Sequence, residues 1–392
     1  MGRKRREEEV AKEAAADKRS KRKPSGKVPA EEAQRGNNAS YIVGIGASAG
    51  GLNALKCFLA VLPKEFGFAM VFIQHLSPKH RSLLPDLLRS GRPGLEISEI
   101  TDGMEVLPGR LYLCPPGKET GILKGTFHVT SPSEDHVHLP IDEFFISLAD
   151  EAGERAIAVI FSGAGTDGAR GIRAVRDGGG SVFVQNPETA EFAAMPIAAI
   201  STGQVDAALP PEEIASILRE LQALPDKISA FFDSSHPITD IADRHHRKPF
   251  FLYIGRHIGL PVCLEGALKL KEISYIPTDA YSAAEMKHGP IALLDETTPV
   301  VCVATDSHVY EKVLSNIQEV RARGAQVIAI ATDGNEAIQH FADDVVYVPR
   351  THPFLQAILA VLPLQLLAYE IARLRGLNVD QPRNLAKTVT VE

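Results

Sequence analysis

Cysteine is scarce in this chain. There are four in 392 residues (Cys57, Cys114, Cys263 and Cys302), and no two are spaced as a metal-binding pair. No metal site is expected, and the four read as reduced core residues of a cytoplasmic protein. Long apolar runs are also lacking. No apolar segment follows the N-terminal charges, so a signal peptide is not expected. The most apolar late stretch, Phe354–Ala372, contains Pro363, Gln365 and Glu370, and is expected as a buried helix without membrane insertion. Positive charge is concentrated in one arm. The net charge is −7, yet residues 1–38 hold 12 Lys/Arg against 7 Asp/Glu, which leaves −12 on the remainder. An acidic body argues against nucleic acid as a partner. The arm has no apolar period and is expected to be disordered.

What is present is ordinary globular composition, 44% hydrophobic and 23% charged, in a length that suits two or three domains. The most informative stretch is Ile42–Leu55, IVGIGASAGGLNAL. A short β-branched run precedes four glycines, Gly44, Gly46, Gly50 and Gly51, and an apolar helical period follows. Strand, tight turn and helix are the expectation, with Ser48 at the top of the turn. Gly46-Ala-Ser48-Ala-Gly50 fits the G-x-S-x-G elbow of a nucleophilic serine. Gly44-x-Gly46-x-x-Ala49 also fits a dinucleotide fingerprint, and a turn without chemistry is the third reading. A nucleotide fold wants an acidic residue after its second strand. Here Phe68–Ile73 runs into Gln74-His75, and a histidine there suits a general base for Ser48.

From Tyr41 to about Leu224 strands and helices alternate. A helix is expected over Arg81–Ser90, hairpins within Leu95–Thr130, a helix over Ile141–Glu151, a strand over Ala156–Phe161 and a final helix over Pro211–Leu224. Such alternation implies a doubly wound parallel α/β sheet with its site at the carboxyl ends of the strands. Ser48, His75 and Asp167 each follow a buried strand, so they can converge on one rim. Ser48 is then the nucleophile, His75 the base and Asp167 its orienting acid, with the backbone amides of Ala49 and Ala164 as oxyanion donors. The chain order Ser…His…Asp differs from that of α/β-hydrolases.

These residues lie in longer signatures: GIGASAGG around Ser48, QHLSP around His75, PPG at Pro115–Gly117, PIDEFF at Pro140–Phe145, SGAGTDGARG around Asp167 and QNPETAEFAAMP at Gln185–Pro196. Over Tyr41–Leu224 the chain resembles the catalytic domain of chemotaxis protein-glutamate methylesterases. The resemblance implies hydrolysis of glutamate γ-methyl esters on a methylated chemoreceptor or related protein, with methanol released and no cofactor. It implies Ser48, His75 and Asp167 as the triad. No counterpart of that family's phosphorylated receiver domain is expected ahead of Tyr41. Ala164 stands where family members often carry Met.

A polar connector, 225–248, leads to a second alternating unit over 249–392, so two doubly wound parallel-sheet domains in tandem are expected after the arm of 1–38 and the unit of 39–224. Glu265, Lys269 and Glu272 share one helix face, either as a solvated salt-bridged stripe or with Glu272 as a carboxylate base. His288 precedes a glycine turn and is a candidate to polarise a substrate oxygen. LEGALKLKEISYI, EMKHGPIALL, SNIQEVRARG, LPLQLLAYEIA and the tail DQPRNLAKTVTVE resemble the carboxyl-terminal sugar-isomerase (SIS) subdomain of glucosamine-6-phosphate synthase. That resemblance implies Glu272 as isomerase base, His288 as a ring-opening group supplied across a homodimer, and Lys387 as the sugar-carbonyl lysine, with Glu265 and Lys269 nearby. Fructose-6-phosphate or glucosamine-6-phosphate is the implied ligand. The family's glutaminase and first isomerase subdomain are not expected here, and Thr305-Asp-Ser307 is the one loop comparable to its phosphate cradle. The expectation is an active esterase joined to a dimerising or sugar-phosphate-binding module. The alternatives are an isomerase or aminotransferase fragment that needs a partner for the phosphate site and ammonia, and a non-catalytic scaffold.

Overall fold

The structure, a computed structural model, describes residues 39–75, 84–132, 138–234 and 236–385. The N-terminal arm and Lys387 lie outside the described residues. The apolar run after Tyr41 forms β1 (Ile42–Ala47), and the helical period after Gly50 forms α1 (Gly51–Val61). Next come β2 (Ala69–Gln74), α2 (Leu84–Gly91), β3 (Glu96–Glu99), β4 (Arg110–Leu113), β5 (Glu119–Leu123) and β6 (Thr126–Thr130). Then follow α3 (Pro140–Ala152), β7 (Ala156–Ile160), α4 (Gly171–Asp177), β8 (Ser181–Gln185), α5 (Ala194–Ser201) and β9 (Ala207–Leu209). Seven strands pair in the order β3-β4-β2-β1-β7-β8-β9, all parallel.

The expected hairpins within Leu95–Thr130 are half right. β5 and β6 do form an antiparallel pair. β3 and β4 instead extend the parallel sheet beyond β2. Their Gly/Pro punctuation marks turns, and turns alone do not say which strand a segment pairs with.

Helix α6 (Pro211–Asp233) carries the chain into the second unit. The sequence places the end of this helix at Leu224, but it continues through Pro225. The proline forfeits one helical hydrogen bond. Leu224 and Phe231 on either side are buried in the second core, which offsets that loss. After α7 (Ile238–His245) come β10 (Phe251–Gly255), α8 (Gly259–Ser274), β11 (Thr278–Ser282), β12 (Pro299–Ala304), α9 (Tyr310–Arg321), β13 (Gln326–Thr332), β14 (Asp344–Val348) and α10 (Gln356–Leu374). Five strands pair in parallel in the order β11-β10-β12-β13-β14. α10 is long and apolar enough to cross a membrane by length and composition, yet Leu359, Leu364, Leu367 and Ile371 are buried in the second core.

Small residues decide how closely the helices approach the first sheet. A Cβ built on Gly46 would lie 2.4 Å from Ile141 Cγ2 at the start of α3. Gly46→Ala therefore forces α3 outward. Overpacking of this kind is expected to cost about 1–3 kcal/mol. Urea unfolding of the full chain should show an earlier transition for the first unit and an unchanged one for the second.

Candidate active site

The turn after β1 is fixed by short-range geometry. Gly50 adopts a left-handed backbone (φ +75°), a conformation that glycine takes without steric cost. Gly51 N donates to Ser48 O at 3.1 Å and closes the turn. The register pairs Ala47 with Gln74, so Ser48 and His75 each come one residue past the end of adjacent strands. Neighbouring strands lie about 4.8 Å apart, which makes the two residues neighbours on the rim.

Asp167 comes to the same rim from the loop between β7 and α4. Its Oδ2 lies 2.8 Å from His75 Nε2. The Asp167 side chain is 2% exposed and that of His75 33% exposed. Oδ2 also accepts from Ile141 N at 3.0 Å, and Oδ1 accepts from Asp142 N at 2.9 Å. These are first-turn amides of α3, which have no partner within their own helix and favour negative charge. The helix thus stabilises the carboxylate, and the carboxylate caps the helix. Asp142 returns the arrangement by accepting from Gly171 N, the first residue of α4, at 2.6 Å. Burial pushes the Asp142 carboxyl above its ordinary pKa; the Gly171 N–H opposes that shift and the nearby Asp167 charge adds to it.

The structure therefore brings Ser48, His75 and Asp167 to one edge, with Nε2 of His75 turned to Asp167. Among the described residues no hydrogen bond joins Ser48 Oγ to His75. Ala49 and Ala164 are exposed, and among the described residues neither backbone N–H has an acceptor in the chain.

Four polar or packing residues at this site are not singled out by sequence alone. Gln74 Nε2 donates to Ser48 O at 3.2 Å. Ser162 is buried; its Oγ donates to Ala49 O at 2.8 Å, and its carbonyl accepts from Ser48 N at 3.0 Å. Gln185 Oε1 accepts from Ser162 N at 2.8 Å. Met195 is buried, and a Cβ on Gly163 would lie 2.0 Å from its sulfur. The last two open and nearly close the run Gln185–Pro196, which is the signal that points to them.

In the second unit, Lys269 joins Glu272 at 2.9 Å and Glu265 at 3.7 Å along α8. The hydrogen bond to Glu272 is the main cause that raises the Lys269 pKa. His288 ends a short turn after β11, 74% exposed, with Glu285 at 3.8 Å. Among the described residues no hydrogen bond or ion pair links His288 to the α8 stripe. In the Thr305–Ser307 loop, Asp306 pairs with Arg350, and its N–H donates to Thr332 Oγ1 at 2.9 Å.

Residues 43–218 match the family model described as CheB methylesterase, and residues 248–375 match the SIS domain. The chain joins a CheB methylesterase domain to a SIS domain. The glutamine–fructose-6-phosphate aminotransferase of Thermus thermophilus is 56% identical over 204 residues, 52% of this chain and 34% of the relative. That of Chlorobaculum tepidum is 53% identical over 181 residues, 46% and 30% of the respective chains. The chain thus spans about a third of the length of these curated relatives. The CheB methylesterase catalytic domain of Thermotoga maritima is 32% identical, with 47% of this chain and all of that one covered, at a TM-score of 0.44.

Replacing Asp167 tests this geometry. Asp167→Asn turns one oxygen into a donor that faces N–H groups. The buried mismatch is expected to cost about 1–3 kcal/mol, visible as a lower thermal midpoint for the CheB-like unit. An unchanged midpoint would mean that the three bonds to Asp167 hold nothing.

Proposed function

We propose that the CheB-like unit, residues 39–224, is a serine esterase acting on glutamate γ-methyl esters of a methylated chemoreceptor or related protein. The observation that carries this reading is the His75–Asp167 hydrogen bond, anchored on the α3 amides one strand-end from Ser48. Ser48 Oγ attacks the ester carbonyl while His75 Nδ1 takes its proton. The developing oxyanion is received by the amides of Ala49 and Ala164. His75 returns the proton to the departing methoxide, and methanol leaves. Water, deprotonated by His75, then cleaves the glutamyl–Ser48 ester; His75 passes that proton to the departing Ser48 Oγ, and the glutamate carboxylate is released. Asp167 holds the imidazole ring and stabilises its charged form throughout. All four cysteines are free, which fits the reducing cytoplasm.

Residues 225–248, of which Phe231, Ile238 and Ile241 are buried in the second core, then lead into 249–392, a SIS unit that binds a sugar phosphate or pairs two copies of the chain. The names of the aminotransferase relatives carry fructose-6-phosphate as the ligand to try. An isomerase or aminotransferase completed by a partner is the second reading, favoured by that 56% identity. Against it, Glu272 is engaged by Lys269 at 2.9 Å.

Methanol release from a methylated receptor fragment decides the first reading. Wild type should release methanol and Ser48→Ala should not. Equal release removes Ser48 from the mechanism, and release by neither favours the scaffold. For the SIS unit, calorimetry with fructose-6-phosphate should give saturable heat by millimolar ligand; no heat at that concentration removes sugar-phosphate binding.

A further inference from the structure

The esterase reading requires two amides, those of Ala49 and Ala164, to point where negative charge develops. A trans peptide is planar, with its C=O and N–H directed oppositely. Whatever holds the carbonyl of a peptide therefore aims its N–H. The carbonyl partner of the Ala49 N–H is Ser48 O. It accepts from Gly51 N at 3.1 Å within the turn and from Gln74 Nε2 at 3.2 Å across the strands. The carbonyl partner of the Ala164 N–H is Gly163 O, which accepts from Met195 N at 3.0 Å at the start of α5. The next carbonyl, Ala49 O, is held by the Ser162 hydroxyl at 2.8 Å. Ser162 is in turn fixed by Gln185 Oε1 on its own N–H and by Phe192 N, which donates to its Oγ at 2.9 Å. Each candidate donor is thus aimed from its carbonyl side. In this group Gln74 acts on a donor's own carbonyl through its side chain.

We infer that Gln74 is a positioning residue for the proposed esterase: by holding the Ser48 carbonyl it aims the Ala49 N–H at the oxyanion. The inference rests on the esterase reading of the same site. Gln74 ends β2, directly opposite Ala47 and next to His75. From there its amide reaches back to the nucleophile's backbone and leaves the hydroxyl unencumbered. Ser162 holds the following peptide, whose N–H belongs to Gly50. A hole whose donors are fixed in advance needs no reorganisation as charge develops. Relaxing one of them should therefore slow the chemical step while leaving substrate binding intact.

The test uses the full chain, p-nitrophenyl acetate as ester and a fluorophosphonate as probe of Ser48. Gln74→Met is close in length and removes the donating amide without adding a charge beside His75. Loss of an oxyanion donor outright costs about 100- to 1,000-fold in kcat. A misaimed one is expected to cost about 10- to 100-fold. KM should stay within about twofold and the thermal midpoint unchanged, and phosphonylation should slow by the same factor as kcat. The pH–rate profile should keep its shape, because a defect passed through His75 would alter it. Wild-type kcat in Gln74→Met overturns the inference, as does a kcat loss that comes only with a lowered midpoint or a changed profile. A wild type that neither hydrolyses the ester nor reacts with the fluorophosphonate overturns the esterase reading itself, and the inference with it.

Discussion

One buried carboxylate organises the CheB-like unit. Asp167 accepts three hydrogen bonds, from His75 Nε2, Ile141 N and Asp142 N, while almost wholly removed from solvent. A buried charge is costly unless its lone pairs are satisfied. Here the satisfaction joins three separate places in the chain: the end of β2, the loop after β7 and the first turn of α3. Those bonds require α3 to sit close against the sheet, and glycine provides the room. Gly46 faces Ile141, and a Cβ on Gly171 would lie 2.9 Å from Asp142 O. Gly168, in a left-handed backbone (φ +94°), lets the chain turn from Asp167 into α4. The glycine-rich loops that read as phosphate or nucleophile motifs are thus first of all packing devices. They bring two helix N-termini together, each capped by an aspartate at the start of the other's segment.

Much of this was legible, and for a local reason. Ser48, His75 and Asp167 each follow a buried apolar strand, and the carboxyl ends of parallel strands share an edge. Gln74, Ser162 and Gln185 were not legible, although they belong to the same site. What they do depends on register: Gln74 reaches Ser48 O because Ala47 and Gln74 are opposite each other. A polar residue at a strand end looks the same in sequence whether it meets water or a neighbour's backbone. β4 failed in a similar way. Arg110–Leu113 is bounded by turn residues like a hairpin strand, yet it inserts between β2 and β3 through contacts distant in the chain.

In the SIS unit the same limits appear with a different outcome. The stripe Glu265, Lys269 and Glu272 was legible as one helix face, and the structure shows it mutually paired. Whether a stripe is a base or a salt bridge depends on what the facing surface supplies, and helical periodicity is silent about that. His288 is on a different element, reached only after β11, a strand whose residues Thr278–Ser282 form no apolar run.

Helix α6 explains why the two units are hard to separate by sequence. Ile214, Ala215 and Leu218 are buried in a core of the first unit, while Leu224 and Phe231 are buried in the second. A polar clasp spans the change. Glu220 takes Lys227 and Thr351 Oγ1, Lys227 also donates to Arg350 O at 2.7 Å, and His352 lies 3.7 Å from Glu213. Burial disfavours the Glu220 charge, but the hydrogen bond and charge of Lys227 outweigh it and lower its pKa. The CheB methylesterase match ends at residue 218, within this helix. A flexible linker would let each unit end where its own core ends. A continuous helix whose two halves serve two cores does not, because residues on either side of the change remain in one rigid repeat. The same helix that packs on α1, the helix leading away from Ser48, therefore continues into the core of the SIS sheet.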